Sequence, residues 1–236
     1  MLINQLFFLS ILISTSTVAL DLQKLATQGN TNAMYALGNE LCNSSINWEQ
    51  CKIGIPYLWS AHIKNHPSAL GQFIHFSIKH FEKLSLIQRK KIYTLKEVMS
   101  SSQKTKLAQK LSDTEPLRSQ QLMLEAAKNN YLSAQWNYIE LSLTNPNWLL
   151  NKQLIIDFLN NLQIQDNLSR LLLAHMYAQG FLVDKNPSQF RSLASTVWRK
   201  LLDQPEHRME LTKKAKYLIQ RGYQKYKLNR NINEPK

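Results

Sequence analysis

Short segments of this sequence recur at a spacing near 35 residues, and this periodicity constrains the fold more than any other feature. Each of four copies contains a small anchor residue: Ala33, Ala69, Ala134 and Ser169. Successive anchors are 36, 65 and 35 positions apart, and 65 is close to two periods, so we expect a degenerate unit over Ser100 to Asn130. Periods of roughly 20 to 50 residues are typical of repeat proteins. The sequence therefore predicts about five stacked units.

Each copy is typical of a helical hairpin. Small residues at four-residue spacing let two helices approach closely, and Gly29, Asn65 and Asn130 stand where a left-handed residue would end a helix. A hairpin cannot bury its apolar face alone, so three or more must stack to form a continuous core. The chain has only six Gly and seven Pro, too few for a barrel or sandwich with many tight turns. The predicted fold class is all-α, an α-solenoid of stacked helix-turn-helix repeats with a C-terminal capping helix.

Apolar spacing and helix-end signals place the individual helices. Pro116 and Pro187 suit the first turn of a helix, and no strand pattern competes. Trp59, Trp136 and Tyr138 fall at core places of the repeat. The predicted helices are Asn32–Cys42, Cys51–Lys64, Ser68–Lys79, Ser85–Met99, Ser102–Leu111, Pro116–Asn129, Leu132–Leu143, Trp148–Leu162, Asn167–Ala178, Pro187–Asp203 and Glu206–Tyr226.

The two best-preserved copies resemble a known family. In the first, Ala26 and Gly29 lead to Ala33, Tyr35, Leu37 and Gly38, and in the second, Met176 and Tyr177 lead to Gly180 and Val183. This pattern is similar to the Sel1-like repeats, which are relatives of the tetratricopeptide repeat. The resemblance covers most of Leu20 to Gln204, although Leu182 replaces the usual second glycine and Phe190 replaces an alanine. It implies a scaffold or adaptor, and exported bacterial members often work in envelope maintenance, motility or host interaction.

The N-terminus is typical of an export signal. Leu6 to Ile13 is an apolar run of signal-peptide length, too short to span a bilayer comfortably. A polar stretch follows, and Ala19 supplies a small residue at the expected cleavage point. We predict export to the periplasm or the extracellular space, with cleavage after Ala19. Because Met1 to Gln5 carries no Lys or Arg, an uncleaved N-terminal anchor is the alternative. The remaining segments are the repeat array, 20–204, and a basic C-terminal helix and tail, 205–236.

Export determines how the two cysteines are interpreted. Cys42 and Cys51 are nine positions apart, and in an oxidising compartment such a pair is more often a disulfide than a metal site or a catalytic thiol. The predicted bond would fasten the intervening segment onto its helices. No further Cys or His stands at zinc-ligand spacing, so we predict no metal and no cofactor.

The positive charge is concentrated in two segments. Residues 79–110 carry a net charge of +7 and residues 205–236 carry +6, which together account for the whole +13 of the chain. In the second segment Leu211, Ala215, Leu218 and Gly222 form a narrow stripe, and we expect the cations to lie off it on a wet outer face. The candidate residues for binding a partner or a polyanion are Arg89, Lys90, Lys91, Lys96, Lys213, Lys214, Lys216, Arg221, Lys225 and Lys227.

No catalytic motif is present in the sequence. It contains no GxSxG, no HExxH and no glycine-rich phosphate loop, so we name no catalytic residue and predict no enzyme. An isoelectric point near 9.7 is also typical of nucleic-acid binders. Exported chains seldom meet nucleic acid, however, and no DNA-reading motif or aromatic-interleaved basic signature is present, so we expect no nucleic-acid partner.

The sequence is compatible with three functions. The leading hypothesis is an exported, non-catalytic repeat scaffold whose concave face binds another protein, with the basic segments steering the encounter. The first alternative is a binder of an anionic envelope polymer or membrane surface through those basic segments. The second is a hydrolase whose site assembles across several repeats, which spacing along the chain cannot reveal.

Overall fold

The structure is a computed structural model of the chain, and it describes residues 20–43 and 48–233. Every regular element in these ranges is helical, and none of the described residues lies in a β-strand. Two short 3-10 helices, Phe81–Lys83 and Lys96–Val98, flank α5. The α-helices are α1 (20–27), α2 (Thr31–Asn43), α3 (Trp48–Ile63), α4 (Ala69–Lys79), α5 (Leu86–Thr94), α6 (Ser101–Leu111), α7 (Pro116–Lys128), α8 (Leu132–Thr144), α9 (Lys152–Leu162), α10 (Asn167–Gln179), α11 (Pro187–Lys200) and α12 (Pro205–Asn233). The predicted all-α solenoid of helical repeats is confirmed.

The first of two compact units ends at Met99. In it α2 and α3 form a hairpin, and α4 packs on α3. The hairpin closes where two glycines meet, because a Cβ atom on Gly38 would lie 2.9 Å from the carbonyl oxygen of Gly54. Ala26 and Ala33 join Leu37 in a small buried cluster of this unit. Small residues therefore set the distance between the helices, as the repeat pattern predicts.

The second unit begins at Ser100 and contains three further hairpins, α6–α7, α8–α9 and α10–α11. Successive hairpins are joined by packing of α7 on α8 and of α9 on α10. The C-terminal helix α12 packs on both α8 and α10. The α6–α7 hairpin is the degenerate unit that the spacing of the anchor residues predicts, although its own sequence barely shows the repeat.

The turns after the helices follow the sequence pattern closely. Gly29, Asn65 and Asn130 have φ angles of 90°, 65° and 57°, the left-handed conformation that ends a helix. Leu182, which replaces a glycine of the family pattern, also has a left-handed φ of 60°. A branched residue is uncommon in this conformation. The turn after α10 therefore has the backbone geometry of the family pattern although leucine stands in place of the glycine. The four anchor residues of the repeat are all buried.

Several helices differ from the predictions by three residues or more. Helix α3 begins at Trp48 and not at Cys51, α11 ends at Lys200 and not at Asp203, and α12 continues past Tyr226 to Asn233. Helix α1 (20–27) was not predicted, although it contains Ala26 of the first repeat copy and is followed by the left-handed Gly29. The helix predicted over Ser85–Met99 ends at Thr94, where the N–H of Leu95 turns back to the carbonyl of Ile92, and a 3-10 turn follows. The helix predicted from Trp148 begins only at Lys152, because the side chain of Asn151 caps α9 by accepting the N–H of Leu154.

Candidate partner-binding surfaces

The disulfide predicted from the sequence is present. Cys42, near the end of α2, is bonded to Cys51 in the first turn of α3, and both residues are fully buried. The bond therefore joins the two helices of the first hairpin at the end where α2 finishes. The predicted signal peptide, residues 1–19, lies outside the described residues.

The four candidate cations of the first unit have different surroundings. The guanidinium of Arg89 donates through Nη2 to the carbonyl of Glu82, at 2.6 Å, and through Nε to that of Leu84, at 3.1 Å. It also lies 5.1 Å from the centre of the Phe81 ring. Arg89 therefore stabilises the connection between α4 and α5, and its guanidinium group is bonded within the chain and does not point out toward a partner.

Lysines 90, 91 and 96 follow Arg89 along the chain. The Nζ atom of Lys91 lies 3.9 Å from the centre of the half-buried Trp59 ring, close enough for a cation–π interaction. Lys96 is paired with its neighbour Glu97, at 3.3 Å. Lys90 is exposed on α5. Of the basic run at 89–91, Lys90 is thus the residue that presents its charge outward.

The second basic segment is organised around the buried side of α12. Ala215, Leu218, Ile219 and Gly222 are buried, and Gly222 lies against the side chains of Leu143 and Phe181. The predicted apolar stripe is therefore the contact of α12 with α8 and with the turn after α10.

Lys225 does not lie on the outer face, contrary to the prediction. It follows Gly222 by three residues and so continues the buried stripe, with 7% of its surface exposed. Its Nζ atom donates to the carbonyls of Ser142 and Asn145, at 2.8 and 2.7 Å, at the C-terminal end of α8. Burial lowers the pKa of Lys225 to about 8. This lysine fastens α12 to α8, and we therefore leave it out of the candidate surface.

The other candidate cations of α12 remain at the surface. Lys214 lies 3.8 Å from Glu140 and 5.7 Å from the centre of the half-buried Trp136 ring. The remaining four are exposed: Lys213, Lys216, Arg221 and Lys227. Two of these four line an open groove that the sequence did not reveal.

This groove, which we call the α11–α12 groove, lies between the end of α11 and the first turns of α12. It encloses about 770 Å³. Its apolar part contains Trp198 and Met209, which are 42% and 54% exposed. The residues that line it are Trp198, Pro205, Glu206, Arg208, Met209, Thr212, Lys213 and Lys216.

The groove exists because α11 and α12 both pack on α10. Helix α11 buries Ala194 and Val197, whereas Trp198, the next residue, is exposed. Trp198 lies edge-on to Phe190, whose ring is 5.8 Å from that of His175 on α10. Burial lowers the pKa of His175, and the nearby ammonium of Lys216 lowers it further. An aromatic row therefore leads from α10 into a groove that is positively charged.

Sequence reasoning missed Trp198, Arg208 and Met209. One signal was available, because the apolar stripe of α12 begins only at Leu211, so that residues 205–210 have no buried face to occupy. Trp198 is left exposed by the way α12 packs on the other helices. That packing belongs to the tertiary structure and cannot be found from the local sequence.

A second cavity, of about 520 Å³, lies between the turn after α10 and the later part of α12. Lys152 and Lys227 line it together with Asp184, Tyr223 and Tyr226. In residues 20–43 and 48–233, no group of three or more His, Cys, Asp or Glu side chains is arranged to hold a metal ion.

The fold is similar to that of a solved repeat structure. A Sel1 repeat protein from Oxalobacter formigenes superposes with a TM-score of 0.60 and 14% sequence identity, over 87% of this chain and 65% of that one. This chain has the Sel1-like repeat fold. The fold assignment rests on the architecture, since the sequence identity is low, and the chain spans about two thirds of the length of that Sel1 repeat protein.

A protective antigen of uropathogenic Escherichia coli strains, described as displaying an SLR fold, is also similar. It shares 18% identity over 92% of this chain and 51% of its own length, with a TM-score of 0.47. No protein-family model matches the sequence, and no curated protein matches it either.

Proposed function

We propose that this protein is an exported, non-catalytic scaffold that binds another protein through the α11–α12 groove. The Sel1-like repeat fold is generally a protein-interaction scaffold. The observation that carries the proposal is the exposed apolar surface of Trp198, at the end of the last hairpin, and of Met209, at the start of α12. In a solenoid each hairpin buries a face against its neighbour, so an uncovered face with an aromatic anchor suits a partner.

The mechanism that we propose is rigid presentation. Helices α11 and α12 both pack on α10, and Lys225 fastens α12 to α8, so the walls of the groove are formed before a partner arrives. A preformed surface loses little conformational entropy on binding. Exposed cations such as Lys90 and Lys213 would steer an acidic partner and raise the association rate at low salt.

Export is part of the proposal and is supported by the disulfide. A bond between Cys42 and Cys51 forms and persists in an oxidising compartment. None of the described helices combines the length and the apolar character that a membrane crossing requires. Mass spectrometry of the protein isolated from cells should show Leu20 as the first residue and two oxidised cysteines. A chain that retains Met1, or that carries free thiols in its native compartment, would contradict this part.

The scaffold proposal can be tested with a photo-crosslinking amino acid. Placed at Met209, inside the groove, p-benzoylphenylalanine should give one dominant adduct with a second protein when living cells are irradiated. The matched control is Leu117, which is also exposed, on α7, but lies outside the groove. Identical adducts from both positions, or none from Met209, would overturn the proposal.

The second candidate function, binding of an anionic polymer or membrane surface, is favoured by a different observation. Leu86 and Ile87 are both exposed at the start of α5, next to the exposed cations Lys83 and Lys90. Aliphatic side chains flanked by lysines are typical of a site that touches an anionic lipid surface. The hydrolase hypothesis has no observation in its favour among the described residues and stays untested.

Deleting residues 213–236 is not a clean test of the second candidate, because the deletion removes the buried residues Leu218, Ile219 and Lys225. A cleaner test replaces Arg221 and Lys227 by Gln, since both are exposed and lie outside the α11–α12 groove. If a polymer is the target, binding to polyphosphate should weaken. Replacing Leu86 and Ile87 by Ser should reduce sedimentation with anionic vesicles if a membrane is the target.

A further inference from the structure

We propose that the α11–α12 groove recognises an acidic amphipathic helix of the partner, with an apolar residue seated on Trp198 and Met209. This inference rests on the proposed scaffold function and specifies the chemistry of its partner. Three independent features of the groove define that chemistry: its apolar floor, the sign of its charge and the secondary structure of its walls.

The apolar part of the groove favours a ligand with an apolar side chain. Trp198 and Met209 lie in the same groove and are about half exposed. Tryptophan is enriched among the residues that dominate binding energies, and the flexible thioether of methionine adapts to different side chains. A volume of about 770 Å³ holds several aliphatic side chains. A purely charged polymer would leave these two residues in contact with water.

The charge of the groove calls for carboxylates around that apolar residue. Arg208, Lys213 and Lys216 line the groove, and Glu206 is the one carboxylate among its lining residues in the described part of the chain. Lys216 also acts on His175 beneath the groove, so its ammonium lies close to the aromatic row. A second copy of this chain is a poor occupant, because each copy carries a net charge of +13. Charge complementarity therefore selects an acidic ligand.

The walls of the groove call for a helix. They are two helices whose backbone groups are hydrogen-bonded within each helix, and none of the described residues offers a strand edge. A bound segment must therefore satisfy its own backbone donors and acceptors, which a helix does. A helix laid against α11 and α12 also extends the packing of the solenoid by one further element.

The test uses the full, disulfide-bonded chain and three fluorescein-labelled peptides of about five helical turns. The first has leucines along one helical face and glutamates elsewhere. The second has the same composition with the leucines spread around the helix, and the third replaces the glutamates of the first by lysines. We expect fluorescence anisotropy to show binding of the first, binding at least about tenfold weaker for the second, and none for the third.

Matched variants locate the binding site. Trp198→Ala should weaken binding of the first peptide at least about tenfold, and Lys213→Gln with Lys216→Gln should reduce both the affinity and its dependence on salt. The controls are Leu117→Ala and Lys128→Gln, which alter exposed residues outside the groove and should leave the affinity unchanged.

Each outcome decides the inference. Equal affinity for the first two peptides, or no effect of Trp198→Ala, would overturn it in favour of a general polyanion site. Self-association in sedimentation velocity that Trp198→Ala abolishes would overturn it in favour of a second copy. If no peptide binds while the crosslinker at Met209 still captures a protein, the acidic-helix inference fails and the scaffold function stands.

Discussion

The two basic segments carry almost equal net charge, +7 over residues 79–110 and +6 over residues 205–236, but they are held in different ways. In the first segment, several cations make contacts with other groups of the chain. Arg89 bonds two carbonyls, Lys91 lies over Trp59, and Lys104 is paired with Glu125 at 3.0 Å. In the second, one lysine is buried and most of the others surround an apolar stripe.

The difference shows that net charge alone does not identify a binding surface. A cation in the first segment stabilises the fold when a carbonyl, a carboxylate or a ring lies within its reach. A cation in α12 faces outward unless it falls on the stripe, as Lys225 does. Neutralising a cation should therefore cost stability where it makes such contacts, as at Arg89, and change binding where it is exposed, as at Lys213. Four predictions test this contrast.

The largest effect should come from overfilling the contact that holds α12. A Cβ atom on Gly222 would lie 2.7 Å from Cδ2 of Leu143 and 2.9 Å from Cζ of Phe181. Gly222→Leu should therefore lower the free energy of unfolding by about 2–3 kcal/mol, and amide exchange in α12 should accelerate.

The matched control for this substitution is Gly71→Leu. Gly71 is also helical, but its added Cβ would meet no atom within 4 Å. This change should be neutral or stabilise the chain by up to about 1 kcal/mol, because leucine is the better helix former. Equal destabilisation by the two variants would mean that the stripe does not hold α12.

The second prediction contrasts two neighbouring cations of the first segment. Arg89→Ala removes hydrogen bonds to the carbonyls of Glu82 and Leu84 and the contact with Phe81, and it should cost about 1.5–2 kcal/mol in urea unfolding. Lys90→Ala, at an exposed position, should stay within about 0.5 kcal/mol of the unchanged chain. If Lys90→Ala cost as much as Arg89→Ala, the contacts of Arg89 would not be what stabilises this connection.

The third prediction concerns the pH dependence that Lys225 imposes. Its pKa is about 8 in the folded chain and 10.5 without burial, so between these values the unfolded chain binds more protons. Below pH 8 the folded chain holds a charged ammonium in a buried place, which lowers the free energy of unfolding. As the pH rises, the folded chain loses this proton and the free energy of unfolding increases. Between pH 7 and pH 9 the free energy of unfolding should therefore rise by about 1 kcal/mol relative to Lys225→Met, which lacks the titrating group. Parallel pH profiles for the two proteins would contradict the burial of this ammonium.

Much of the fold follows from the sequence because its determinants are local. The left-handed turns at Gly29, Asn65 and Asn130 and the buried anchors need only the repeat pattern, and even the degenerate α6–α7 hairpin follows from the spacing. Helix α1 was not predicted, even though Gly29 stands where a helix would end, because a helix over residues 20–27 is too short to show a clear apolar period.

The site is less predictable because it depends on contacts between distant residues. Lys225 interrupts the apolar pattern of α12, and the carbonyls that bind it belong to Ser142 and Asn145, 83 and 80 residues earlier. The apolar stripe that the sequence predicts therefore ends at Gly222 and leaves Lys225 out. The groove is harder still, since Trp198 is exposed only because α12 packs on α8 and α10 and leaves the end of α11 open.

The smallest predicted effect compares one lysine from each basic segment. The Nζ atom of Lys91 is 3.9 Å from the centre of the Trp59 ring, whereas that of Lys214 is 5.7 Å from the centre of Trp136. Replacement by Met keeps most of the aliphatic side chain and removes the charge. Lys91→Met should cost about 0.5–1 kcal/mol in urea unfolding, and Lys214→Met should cost less than about 0.5 kcal/mol, because its ion pair with Glu140 is exposed.

A cation–π contact at short range depends weakly on salt, whereas a surface ion pair is screened. The cost of Lys91→Met should therefore persist at high ionic strength, and the small cost of Lys214→Met should vanish. If instead the cost of Lys91→Met disappeared in salt while that of Lys214→Met remained, the assignment of internal contacts to the first segment and of an outward charge to the second would be reversed. That reversal would move the search for a partner from the α11–α12 groove to the surface of α5.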